Sequence, residues 1–129
     1  DQTRAAIREI VGPVDLMLRP PYGFVDDTLR QWAKAPIICW SLDTEDWKDP
    51  TPSRITADIL RQVKDGDIIL MHDIFDTSVT AALAAVDQLL AQGYRLVTVE
   101  ELFAQRGQDP QPGAVYCSLP PAQKEEVEP

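Results

Sequence analysis

One histidine, two cysteines and two methionines in 129 residues exclude several kinds of chemistry at once. Cys39 and Cys117 stand far apart without C-x-x-C spacing, so the chain holds neither a disulfide scaffold nor a cysteine metal cluster. A lone His72 excludes a His-rich metal site built from this chain by itself. Basic residues are also scarce. Twelve Lys and Arg against 21 Asp and Glu leave a net charge of −9, which argues against a nucleic-acid-binding face and against a polybasic lipid patch. No stretch approaches the roughly 20 apolar residues of a membrane span. The sequence opens at Asp1, not Met, inside or at the edge of a helix, with no signal peptide following; either its start has been removed or it is a piece of something longer.

What is present suits one soluble domain, with 44% apolar residues. Residues 2–11 set Ala6, Ile7, Ile10 and Val11 at helical spacing before Gly12. Val14–Leu18 reads as a strand ended by Pro20, Pro21 and Gly23. Asp26 or Asp27 caps a helix to about Ala35, and Pro36 separates it from a strand over Ile37–Trp40. An acidic loop follows from Leu42 to Pro52. Ser53 caps a helix to about Lys64 with Ile55, Ile59, Leu60 and Val63 on one face. Asp67–Met71 reads as a buried strand, about Ser78–Gln92 as a long helix, Arg95–Val99 as a strand and Glu100–Gln105 as a short helix. Residues 108–119 read as an edge segment in which Val115–Cys117 can lie against the body. Residues 120–129, charged and proline-rich, read as a disordered tail.

A helix followed by four βα units predicts an α/β fold with parallel strands, either a small open sheet or half of a (β/α) barrel. Chemistry in such folds gathers at the carboxyl ends of strands. Past the first strand stands Arg19-Pro20-Pro21-Tyr22-Gly23. Past the second stands Ser41-Leu42-Asp43-Thr44-Glu45-Asp46-Trp47, and past the third His72-Asp73. Each has a plain structural reading: a satisfied histidine, a solvated acidic loop, an edge tryptophan, a proline turn with a surface arginine. Their shared face is what raises them together. His72 has the chemistry of a general acid or base, and Asp46 could orient it as in other carboxylate–His pairs. Trp47 offers a flat wall for a sugar ring, and Arg19 could grip a carboxylate. No nucleophile elbow adjoins His72, and Asp43-Thr44-Glu45-Asp46 is not an EF-hand.

At these residues the sequence resembles the polysaccharide deacetylases of carbohydrate esterase family 4. Arg19-Pro20-Pro21-Tyr22 is similar to the family's third motif, R-x-P-Y. Asp43 to Trp47 is similar to the fourth, D-x-x-D-W, and Leu70-Met71-His72 to the fifth, L-x-H. Pro112 to Tyr116 resembles a C-terminal edge of bacterial members. The likeness runs over about residues 2–107 and implies the C-terminal half of a distorted (β/α) barrel, completed by a missing N-terminal segment. It implies that His72 is the general acid that protonates the leaving amine of an N-acetylated sugar and that Asp46 tunes it. Trp47 and Leu70 would shape the groove, the Tyr22 N–H would donate to the oxyanion, and Arg19 would hold a catalytic base aspartate. Asp43 belongs to the motif without a chemical step.

The family's first two motifs, T-F-D-D-G and H-x-x-x-H, are absent. They would supply the base and the ligands of a divalent metal, zinc first, so the metal is expected on ligands outside this chain. A separate chain carrying the N-terminal half is the expected partner. The resemblance implies N-deacetylation of N-acetylglucosamine polymers, peptidoglycan ahead of chitin, at the cell envelope or outside the cell. Two other readings compete with it: a non-catalytic carbohydrate-binding relative, and an unrelated hydrolase or glycosidase with Asp46 as proton donor.

Overall fold

The computed structural model describes residues 2–122. The chain divides into two compact units, one built from residues up to Cys39 with Pro110–Tyr116, the other from Trp40–Asp109 with the segment from Cys117 onward.

The first unit opens with α1 (Gln2–Val11), and Gly12 follows it at φ 83°. The strand expected over Val14–Leu18 shrinks to a single parallel bridge between Leu18 and Ile37. A local reason is visible: the Arg8 guanidinium donates to the Val14 carbonyl at 2.9 and 3.1 Å, so that group is taken before any strand neighbour could use it. A 3₁₀ turn spans Pro21–Gly23. Helix α2 (Asp27–Trp32) is capped by Asp26, whose carboxylate accepts from the Leu29 N–H at 2.7 Å. It stops short of the expected Ala35. Strand β1 (Ile37–Ile38) pairs in parallel with β4 (Val115–Tyr116), Ile37 opposite Val115 and Ile38 opposite Tyr116. The edge segment around Val115 is therefore a strand, and Ile37 and Ile38 are its buried partners.

The second unit holds β2 (Leu42–Asp43), α3 (Pro52–Gln62), β3 (Ile69–Leu70), α4 (Asp76–Ala91) and α5 (Val99–Arg106). Strand β2 lies where the sequence predicts only loop. It pairs in parallel with β3, Leu42 opposite Ile69 and Asp43 opposite Leu70. Helix α3 starts at Pro52, not behind a Ser53 cap. A proline at the first helical position lacks the N–H that would need capping, and Thr51 turns its hydroxyl to Asp49 instead, at 2.7 Å. The predicted strand Arg95–Val99 is absent among the described residues. Thr98 and Glu101 form a reciprocal capping box, so Val99 begins a helix.

Leu42, Ile55, Ile59, Ala81, Ala85 and Leu89 form the core between β2, α3 and α4. Ile55 and Ile59 are one turn apart on α3, and Ala81, Ala85 and Leu89 repeat at four-residue spacing on α4. The alanines let the two helices approach closely, and the Thr56 hydroxyl donates to the Ala81 carbonyl across that seam at 3.2 Å. The segment from Cys117 returns onto this unit: the Leu119 N–H donates to the Gly66 carbonyl at 2.8 Å, and Leu119 is buried. Of the tail expected over 120–129, residues 123–129 lie outside the described residues.

Gly66 sits at φ 92°, and a Cβ there would stand 2.0 Å from the Leu119 carbonyl oxygen. Both the backbone and the neighbour therefore reject a side chain. Gly66→Ala is expected to destabilise the second unit by about 2 kcal/mol or more, read as a lower urea midpoint, whereas Gly93→Ala, with open space around it, should cost only the strain of its positive φ.

Candidate active site

Parallel pairing of β2 with β3 places the ends of both strands side by side. The turn after β2 and His72, the second residue past β3, thus share one edge. Asp43 Oδ1 accepts from the Glu45 N–H at 2.9 Å, which starts a tight turn. Glu45 adopts a left-handed φ of 46°, and its carbonyl accepts from the N–H groups of Lys48 and Asp49 at 3.0 and 3.2 Å. This winding sends Asp46 inward, with no exposed surface, and Trp47 outward, 59% exposed. Asp43 thus has a structural task in this turn. Thr44, also buried, donates its hydroxyl to the Leu70 carbonyl at 2.9 Å and so ties the turn to β3.

Arg54 clasps the turn from α3. Its Nη1 and Nη2 donate to the Thr44 carbonyl at 3.2 and 3.1 Å, and Nη2 donates to the Asp49 carbonyl at 2.6 Å. Nη1 also pairs with Asp58 at 2.8 Å. Its Nε lies 3.1 Å from Asp49 Oδ2 as an ion pair, but at an angle that makes no hydrogen bond.

At the end of β3, His72 meets Asp46 twice. The His72 backbone N–H donates to Asp46 Oδ2 at 2.7 Å, and its Nδ1 lies 2.7 Å from Oδ1. Ser78, from the first turn of α4, donates its hydroxyl to Oδ2 at 2.6 Å. Burial pushes the Asp46 carboxyl upward, but the Ser78 hydroxyl, the His72 ring and the His72 N–H outweigh it, and the group ends below the ordinary aspartate range. An ionised carboxylate only accepts, so Nδ1 carries the hydrogen and Nε2 is the nitrogen turned to other use. The His72 side chain is 38% exposed. A buried acid, a fixed tautomer and a half-open imidazole are what proton transfer requires.

Asp46, Trp47, Leu70 and His72 therefore belong to one edge of the second unit. Leu70 is buried beside them in β3. Arg19 and Tyr22 lie in the first unit. Tyr22 is held at φ 57° within the 3₁₀ turn, its side chain fully exposed. Reading the sequence misses Arg54 and Ser78. Arg54 looks like one more surface charge on α3, and Ser78 only like the start of a helix. A hydroxyl inside a first helical turn, past the cap position, was the available signal. Among the described residues no three His, Cys, Asp or Glu side chains cluster so as to hold a metal ion. The one histidine is committed to Asp46, so these residues do not fit the divalent metal that the resemblance implies.

No family model matches the chain. The peptidoglycan-N-acetylmuramic acid deacetylase PdaC of Bacillus subtilis is 41% identical over 102 residues, 79% of this chain and 22% of that protein. Its solved structure superposes with a TM-score of 0.73 over 81% of this chain and 54% of that one. The chain is similar to part of the polysaccharide deacetylase domains of carbohydrate esterase family 4. A family 4 acetyl xylan esterase from Clostridium thermocellum, solved with a cobalt ion, agrees at a TM-score of 0.81 and 30% identity, over 92% of this chain and 60% of that one. A family 4 pseudoenzyme from Bacillus anthracis agrees at 0.69 and 27%, over 78% and 37%. The α/β architecture is thus that of this family in part. The chain spans about a fifth of the length of PdaC. There the matching stretch is part of one longer chain, and nothing supports the separate N-terminal chain expected as partner. No helix among the described residues is long and apolar enough to cross a membrane.

The heightened acidity of Asp46 links the site to stability. A carboxyl more acidic folded than unfolded stabilises the fold above its unfolded value and loses that contribution as the pH falls through the folded one. Denaturation midpoints of the second unit should therefore drop below about pH 4, and Asp46→Asn should flatten that limb at a cost in stability at pH 7. Arg54→Met should leave the Thr44, Glu45 and Asp49 carbonyls without their cation; hydrogen exchange is expected to speed up across residues 44–49, with a loss of about 1–3 kcal/mol.

Proposed function

We propose that this chain carries the proton-donating end of a polysaccharide N-deacetylase. The observation that carries the reading is the His72 ring, held through Nδ1 by the buried carboxylate of Asp46 with Nε2 left for substrate. Hydrolysis of an N-acetyl group passes through a tetrahedral intermediate whose nitrogen must gain a proton before it leaves. His72 Nε2–H supplies that proton, and Asp46 stabilises the imidazolium that donates it. Trp47, on the exposed side of the same turn, offers its ring as a wall for a sugar face. Leu70 closes the apolar side where the acetyl methyl would sit.

In the first unit the reading gives the Tyr22 N–H to the oxyanion. Its left-handed backbone supports this, since a main-chain donor at such a turn is kept clear of helical pairing. Arg19 is read as the residue that holds the base aspartate. Any divalent metal, zinc by preference, belongs to residues other than those described here, and its chemistry would be the activation of water. The substrate class is an N-acetylated amino-sugar polymer, peptidoglycan ahead of chitin, which puts the activity at the cell envelope or outside the cell. PdaC, named for peptidoglycan, supports that order.

A second reading is a sugar-binding relative without turnover. The lack of a ligand cluster among the described residues and the pseudoenzyme neighbour favour it.

In the protein that carries this chain, His72→Ala is expected to lower kcat for acetate release from peptidoglycan by about 10²–10⁴-fold, with KM little changed. Chelator should abolish the activity and zinc restore it. Glycan binding without acetate release, unaffected by zinc, would establish the second reading instead. Turnover untouched by chelator would overturn the metal-dependent reading; the competing glycosidase reading finds no proton donor in Asp46, which is ionised and has no exposed surface.

A further inference from the structure

We propose that Ser78 is a positioning residue that sets the proton affinity of His72 through Asp46; the inference rests on the reading of His72 as the general acid. Ser78 is 1% exposed and Asp46 fully buried, so the 2.6 Å bond between them forms away from water. Its hydroxyl is not spent on the helix. The cap position of α4 is Phe75, without a side-chain cap bond, and Ser78 lies inside the first turn with its own N–H on the Phe75 carbonyl at 3.0 Å.

The other buried positions on that helix are Ala81, Ala85 and Leu89. A buried hydroxyl among them costs free energy unless it is bonded, and its one bond goes to Asp46. The structural alternative, a small residue that merely fits, would be met as well by alanine.

The two carboxylate oxygens divide the work. Oδ1 faces the imidazole, while Oδ2 takes both the His72 N–H and the Ser78 hydroxyl. Two donors on Oδ2 fix the carboxylate plane, so Oδ1 lies where Nδ1 needs it. They also draw negative charge from Oδ1 and weaken its hold on the imidazolium proton. His72 is the charged partner of Asp46, and Asp46 the charged partner of the ring, among the described residues. Removing the hydroxyl should therefore leave a more basic carboxylate on Nδ1. The imidazolium is then favoured, and His72 becomes a weaker acid.

The test is an NMR titration of the His72 ring in the whole protein, its signal assigned by loss in His72→Gln, alongside the pH profile of acetate release. In Ser78→Ala the His72 proton affinity should rise about three- to tenfold, and the pH limb governed by that group should move with it. Ser78→Thr, which keeps the hydroxyl, should restore both. Ser78→Cys, close in size but a poor donor, should behave like alanine and serves if alanine compromises folding. An unchanged His72 titration in folded Ser78→Ala and Ser78→Cys overturns the proposal, whatever happens to the rate. A shifted titration with an unmoved pH profile upholds Ser78 as the residue that sets His72, and sinks instead the reading of His72 as the acid.

Discussion

A carboxylate without access to water must be surrounded by donors, and Asp46 is the group around which the second unit is arranged. Left alone in an apolar interior, an aspartate would take up a proton. Here the ring, a main-chain N–H and a hydroxyl together hold it ionised. These donors come from β3 and α4, while Asp46 follows β2. The parallel register of β2 on β3 and the packing of α4 against α3 are thus both preconditions of one charge being stable. The left-handed Glu45 and the Arg54 clasp exist on the same terms, since without them the turn would not send residue 46 inward and residue 47 outward.

The clasp shows how a polar loop can be made rigid. An isolated surface ion pair is worth little, but Arg54 spends most of its donors on main-chain carbonyls of the turn, and those bonds are geometric constraints as much as energetic ones. The hydrophobic core of α3 and α4 sits directly behind. The chemistry-bearing side chains past β2 and β3 are therefore held on a turn that regular elements brace, which fixes their orientation.

Family likeness and the residue inventory point in complementary directions. The chain matches a named deacetylase and an esterase as well as a pseudoenzyme on the same scaffold. What its second unit holds is a histidine fixed on a buried carboxylate, and among the described residues no cluster of three potential metal ligands. Fold likeness says that the scaffold is shared; only the site says what survives on it.

The placement of Asp46, Trp47, Leu70 and His72 at strand ends was legible because hydrophobic runs, prolines and turn residues mark strand ends in a parallel α/β chain. The amphipathic face of α3 and the extent of α4 were legible because helical periodicity is a local property. Strands over Val14–Leu18 and Arg95–Val99 were read and did not form, because a strand needs a neighbour, and a local competitor took those groups: Arg8 on the Val14 carbonyl, the capping box at Thr98. Strand β2 was missed because two residues hold no period. The sequence by itself determined the fold class, the motif residues and the exclusions set by one histidine and a net charge of −9. Only the tertiary structure decided that Ser78 and Arg54 serve Asp46, because a hydrogen bond between residues 32 positions apart depends on how helices pack and leaves no periodic trace in the chain.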